Sequence, residues 1–126
     1  MRPLLLLLIS FTALAAEPKT QLDLNTAAGQ SFLAADKELN ERWKQVLAAN
    51  AADPKLTARL KTAQKAWLAF RDAQVAALYG DEFFSARPLC EATVKEQLTR
   101  ERSAYLKSLL EVVEGDVCAA TAAPAK

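Results

Sequence analysis

Apolar residues recur at helical spacing in three separate stretches of the chain. Between residues 23 and 50 they lie three or four positions apart, at Phe32, Ala35, Leu39, Trp43 and Val46. This spacing places them on one face of an α-helix. Asp23 or Asn25 can cap the start of this helix, and residues 50–53 close it.

Two further helices are predicted by the same pattern together with start and stop residues. Asp53-Pro54 combines a capping side chain with proline at the first helical position. The apolar face that follows contains Leu56, Leu60, Ala63, Trp67, Phe70 and Ala77. Gly80 then stands where a helix end favours positive φ. The third run starts near Pro88, continues through Tyr105, Leu109 and Val112, and is predicted to end at Gly115.

Short connections between these helices favour antiparallel neighbours, so the pattern predicts an all-α, up-down-up three-helix bundle. Composition agrees, since the chain has 26 Ala and 20 Leu but only seven Val and Ile together. The expected core consists of the two Trp, several Leu and three further aromatic residues, which are Phe32, Phe70 and Tyr105.

The N-terminus reads as a signal peptide. Arg2 precedes an apolar run over residues 4–14, and Ala13-Leu14-Ala15 fits the A-x-A cleavage pattern. The run is shorter than the roughly twenty apolar residues that cross a bilayer; a retained anchor is the alternative. We therefore predict a periplasmic protein cleaved near Ala15. The expected organisation is a signal peptide (1–15), a helical domain (16–115) and a poorly ordered, Ala-rich tail (116–126).

Composition argues against several classes of function. The chain has no His, which excludes His-based catalysis and the usual zinc sites, and its three Gly exclude a glycine-rich phosphate loop. Its 16 basic and 15 acidic residues give no electrostatic footprint for nucleic acid or an anionic membrane. Carboxylates alone remain for catalysis, and balanced charge is typical of a solvated helical surface. We predict a protein that is not an enzyme and needs no cofactor or metal.

Several segments, taken together, resemble the bacterial lysozyme inhibitor LprI-like family. They are Thr20-Gln21 with Leu24-Asn25, AADKELN (residues 34–40), AQKAWLAFRD (residues 63–72), Cys90, LTRER (residues 98–102) and Leu106. The resemblance covers most of the predicted helical domain. It implies a small exported helical domain, with lysozyme inhibition described for the family's namesake and no catalytic residues.

The motif residues that carry this resemblance are interpreted as structural: Asp36, Leu39, Asn40, Trp67, Phe70, Arg71, Asp72 and Arg102. Arg71 lies four residues after Trp67, so its guanidinium can stack on the indole ring. An ion pair among Asp36, Arg71 and Arg102 is the favoured interpretation, and a role in binding a partner is the alternative.

The chain has two cysteines, Cys90 and Cys118. The family usually has an earlier cysteine before the Thr-Gln pair, which this chain lacks, so Cys90 has no partner there. A bridge between Cys90 and Cys118 within one chain requires a broken or shortened third helix, because five extended residues cannot span its length. A bridge between two chains and free thiols remain as alternatives.

The segment from Gly80 to Pro88 is the candidate binding element. Phe83, Phe84 and Arg87 are of the types favoured as binding anchors, and Arg87 can approach the acidic cleft of a lysozyme-type glycosidase. Alternatively, the two aromatics plug the end of the bundle. The predicted function is protein binding, with lysozyme inhibition as the specific form. The alternative is an envelope or stress-related structural or interaction protein, which can pair as a homodimer.

Overall fold

The computed structural model describes residues 19–122, and within them it contains three helices and no strand. They are α1 (Gln21–Ala49), α2 (Pro54–Tyr79) and α3 (Arg87–Ser108). Helix α3 packs most extensively along α1 and less extensively along α2. The predicted all-α fold is confirmed. The predicted signal peptide lies outside the described residues.

Helix α1 begins with a capping box. Thr20 is the N-cap: its hydroxyl accepts a hydrogen bond from the Asp23 N–H (3.1 Å), and the Asp23 carboxylate accepts from the Thr20 N–H (2.9 Å). The sequence predicts Asp23 or Asn25 as the cap, and this prediction is wrong, because Asp23 is already the third helical residue. The hydrogen bonds from Thr20 hold the pKa of Asp23 below its usual value.

The predicted start and end of α2 agree with the structure. For α3 the predicted start agrees and the predicted end does not. Asp53 accepts a hydrogen bond from the Leu56 N–H (2.9 Å), and Gly80 ends α2 with φ of 52°. Helix α3 stops at Ser108, well before Gly115. It stops early because Leu109 and Leu110 turn inward and pack against the core.

The segment after α3 returns to the end of α1. The Thr121 hydroxyl donates to the Leu109 carbonyl (2.6 Å), and the Ala122 N–H donates to Asn50 Oδ1 (2.8 Å). Asn50 is buried and also donates to the Val46 carbonyl (2.8 Å). These bonds hold the described part of the tail, which the sequence led us to expect as poorly ordered, against the bundle. Residues 123–126 lie outside the described residues.

The core is small. Its centre consists of Leu39, Val46 and Leu106, with both Trp side chains packed partly buried against it. Phe70 and Tyr105 are 50% and 55% exposed, so their assignment to the core was wrong. Arg71 is buried on the inner face of α2, and the preceding residue is rotated by about 100° away from that face.

Candidate functional site

The loop between α2 and α3 (residues 80–86) is fastened by side chains from the neighbouring helices. Arg87, the first residue of α3, donates from Nη2 to the Gly80 carbonyl and from Nη1 to the Glu82 carbonyl, both at 2.7 Å. From α1, Asn25 Nδ2 donates to the Ser85 carbonyl (3.0 Å). The loop backbone is therefore fixed relative to all three helices.

Arg87 has a different position from the one that the binding hypothesis requires. Its Nε donates to Glu91 Oε1 at 2.8 Å, so each guanidinium nitrogen already donates to a group within the protein. Its side chain is 25% exposed. Arg87 thus orders the loop and its charge is paired with Glu91, which leaves it poorly placed to enter an acidic cleft.

The two aromatic residues of the loop differ in their surroundings. Phe84 lies beside Tyr79, with ring centroids 6.2 Å apart, and is 37% exposed. Phe83 is 92% exposed, so it does not plug the end of the bundle. Asp81 and Glu82 directly precede it and are also exposed. The loop tip therefore presents one aromatic ring beside two carboxylates.

A second group of motif residues surrounds Arg71 between the helices. Arg71 is 9% exposed, and its Nη1 donates both to Asp36 Oδ1 of α1 (2.8 Å) and to Thr99 Oγ1 of α3 (3.0 Å). Asn40 Nδ2 lies 3.4 Å from the other oxygen of Asp36. One side chain of α2 therefore links all three helices.

Aromatic rings enclose the Arg71 guanidinium and continue outward in an alternating series. The guanidinium carbon lies 5.2 Å from the Phe32 ring centroid and 5.4 Å from that of Trp67. Arg102 lies over the Trp67 ring (5.7 Å), and partial burial lowers the pKa of this arginine. The whole series runs Lys95, Phe32, Arg71, Trp67, Arg102 and Tyr105.

The structure brings together only part of the predicted ion-pair network. Asp36 and Arg71 are paired, but Arg102 Nε donates to Gln64 Oε1 of α2 (3.0 Å), because its position on α3 faces α2. Asp72 is 68% exposed and lies 3.8 Å from Arg71 Nε. Leu39 is in the core. The motif residues that are buried thus fix helix packing.

Two partners in these contacts had no predicted role of their own. Gln64 and Thr99 lie within the motif segments AQKAWLAFRD and LTRER. Only the packing of α3 against α2 makes them partners of arginines. Both are buried. The hydrogen-bond partner of a buried polar side chain is set by the tertiary packing.

The two cysteines lie far apart. Cys90 is in the first turn of α3 and half-buried, whereas Cys118 is exposed and follows the far end of that helix. Both are free thiols. Residues 90 to 108 alone rise about 27 Å along the helix axis. The structure joins the two thiols by no bridge. Because α3 ends early, at Ser108, the shortened helix that a bridge within one chain requires is present, and that bridge stays a prediction.

We expect oxidation to link two chains through Cys118, because an exposed thiol is the more accessible of the two. On a non-reducing gel the oxidised protein should show a covalent dimer that Cys118→Ser removes and Cys90→Ser retains. An oxidised monomer that takes up no alkylating reagent would contradict this expectation and indicate an internal bridge.

Metal-ligating side chains and displaced pKa values bear on metal binding and catalysis across the described residues. Among residues 19–122, no group of three or more Cys, Asp or Glu side chains is placed to hold a metal ion. The two carboxyl groups with clearly displaced pKa values, Asp23 and Glu96, are shifted downward by hydrogen bonds, from Thr20 and Arg100 respectively. A general acid needs the opposite shift.

Comparison with known proteins identifies the family. The family model described as Lysozyme inhibitor LprI matches residues 13–106. The chain is also 39% identical over 108 residues to an uncharacterized protein of Rhizobium meliloti (strain 1021), covering 75% of this chain and 77% of that protein. No solved structure matches the chain significantly. The family match covers α1, α2 and α3 as far as Leu106, and the chain belongs to the lysozyme inhibitor LprI family.

Proposed function

We propose that this protein is exported and acts by binding another protein, and that its target is a lysozyme-type glycosidase. Membership of the LprI family supports the choice of target. The observation that carries the proposal is the position of Phe83, which is 92% exposed on a loop that Arg87 and Asn25 hold in place.

A fixed loop is a good contact element for a physical reason. Binding costs free energy when side chains and loops must be ordered, and a loop that is already ordered avoids part of that cost. Aromatic side chains are enriched among the residues that dominate binding energy. Asp81 and Glu82 add an acidic rim, which would complement basic residues outside the acidic cleft of the target.

The position of Arg87 determines the form of inhibition that we propose. Since its guanidinium is bonded to Gly80, Glu82 and Glu91, it does not neutralise the carboxylates of a glycosidase cleft. The loop acts by occlusion: Phe83 occupies space that the polysaccharide needs, and the acidic rim contacts the cleft edge. No chemistry by this chain is required.

Export is part of the proposal. Residues 1–15 have the pattern of a signal peptide, and the mature chain would begin near Ala16. Among the described residues, no helix is both long enough and apolar enough to cross a membrane. A location in the periplasm would place the protein where it meets enzymes that attack the cell wall.

The test is a lysozyme activity assay with purified protein lacking residues 1–15. We expect saturable inhibition, and Phe83→Ala should weaken binding by roughly tenfold or more, as for an anchor residue. The melting temperature should stay unchanged, because the side chain contributes almost nothing to the folded contacts. Calorimetric titration measures the affinity.

The matched control is Val117→Ala, which changes a 98% exposed apolar side chain beyond the far end of the bundle. It should leave inhibition unchanged. Inhibition that survives Phe83→Ala would contradict the assignment of the loop. No inhibition at a large molar excess would contradict the choice of target and favour an interaction role in the cell envelope.

A further inference from the structure

A cleft of about 210 Å³ lies between α1 and α3, away from the loop proposed to bind the target. Three basic side chains and one acidic side chain line it together with two small residues. The lining residues are Glu38, Arg42, Arg100, Ser103, Ala104 and Lys107. The cleft therefore carries an excess of positive charge, although the chain as a whole is nearly neutral.

Ser103 is a buried polar residue that the fold does not satisfy. It is only 4% exposed, and its hydroxyl makes no hydrogen bond within residues 19–122. An unpaired buried hydroxyl is costly, and such groups are uncommon in folded proteins. Ser103 also lines the cationic cleft, so its unpaired hydroxyl remains as a donor for an anion bound there.

The basic side chains of the cleft are only partly paired. Glu38 lies 3.7 Å from Arg42 Nη2 and 3.9 Å from Arg100 Nη1, which is too long for a good hydrogen bond. Lys107 Nζ is 3.9 Å from Glu111. The short pair is Arg100 Nε with Glu96, at 2.8 Å. Donor capacity on two guanidinium groups and one ammonium group therefore remains for a ligand.

We propose that this cleft binds a phosphate group. Arg42, Arg100 and Lys107 would surround it, and the Ser103 hydroxyl would donate from the floor. Guanidinium groups bind phosphate through paired N–H donors, and here basic side chains from both helices line the cleft. Glu38 is then the resident counter-ion, and its carboxylate competes with the ligand.

Inorganic phosphate is the first probe, used at about pH 8, where it is mostly dianionic. Amide resonances of the ¹⁵N-labelled protein around residues 42 and 103 should shift saturably at constant ionic strength. Arg42→Gln and Ser103→Ala should each weaken binding severalfold. Glu38→Gln removes the competing charge and should strengthen binding by about fivefold.

Two controls separate a site from general attraction to basic residues. Arg59→Gln removes an equal charge from an exposed position on α2, so it should leave phosphate binding unchanged. Ser103→Ala deletes an unpaired polar group and should not lower stability, so weaker binding by this variant cannot be attributed to unfolding. Shifts that do not saturate, or that Arg59→Gln reduces as much as Arg42→Gln, would overturn the proposal.

The phosphate can be free or part of a lipid headgroup, and a second probe distinguishes these sources. Vesicles that contain phosphatidic acid are compared with vesicles of neutral phosphatidylcholine in a flotation assay. Flotation with the acidic vesicles that Arg42→Gln abolishes and Arg59→Gln retains identifies a headgroup. Saturable binding of inorganic phosphate without flotation identifies a free phosphate. Absence of both would overturn the proposal.

Discussion

Replacing Arg71 with Ala is expected to lower the free energy of unfolding by about 3 kcal/mol. The change removes the hydrogen bonds to Asp36 and Thr99 and leaves the buried Thr99 hydroxyl without this donor. It also removes the cation that lies between the Phe32 and Trp67 rings, a contact worth about 0.5–2 kcal/mol per ring. Urea unfolding followed by circular dichroism measures the loss.

Two aspartates beside Arg71 provide the matched comparison. Asp36→Asn leaves a 9% exposed guanidinium without its carboxylate partner, so it should cost about 2 kcal/mol. Asp72→Asn changes a carboxylate that is 68% exposed and 3.8 Å away, so it should cost less than about 0.5 kcal/mol. Equal losses for both variants would show that the link between helices is not the source of the stability.

The sequence predicted much of this cluster because its main contacts follow helix geometry. Trp67 and Arg71 are four residues apart, and their stacking depends only on α2 being a helix. The pair between Asp36 and Arg71 joins two helices, and opposite charges on helices predicted to be antiparallel made it a reasonable hypothesis. Arg102 carries the same charge as Arg71 and was predicted to join this pair. The rotation of α3 about its axis instead places Arg102 against Gln64.

The loop shows a different limit of sequence analysis. Its composition indicated a binding element, and that assignment stays a prediction. The structure shows only that Phe83 is exposed on the loop. The role of Arg87 could not be predicted, because two of its partners are backbone carbonyls, which have no residue-specific signal. An arginine beside a turn reads equally well as a binding residue or as a residue that orders the turn.

The end of α3 was mispredicted because local and tertiary preferences compete there. Gly115 is a good helix stop, and Leu109 continues the apolar spacing of the helix. In the fold, both Leu109 and Leu110 pack against the core directly after the last helical residue. We attribute the early end of the helix to this burial, which favours a turn over the local glycine stop.

Leu106→Ala is expected to destabilise the protein by about 3–4 kcal/mol, the largest loss that we expect from any single substitution. Leu106 is fully buried and belongs to the central cluster with Leu39 and Val46. Shortening it removes contacts to both α1 and the partly buried residues that cover the cluster, and long α-helices relax poorly into the resulting cavity. Thermal and urea unfolding measure the change.

Leu33→Ala is the control, since it makes the same chemical change on α1 at a position that is 64% exposed. It should alter stability by no more than about 0.5 kcal/mol. The contrast tests how much of the free energy of unfolding comes from the small core. A domain of this size has a free energy of unfolding of roughly 5–15 kcal/mol, so one cavity would remove a large part of it. A loss below about 1 kcal/mol for Leu106→Ala would mean that the three-residue cluster is not what holds α3 against α1. The Arg71 cluster and the bonds of the tail to Asn50 would then have to supply that attachment.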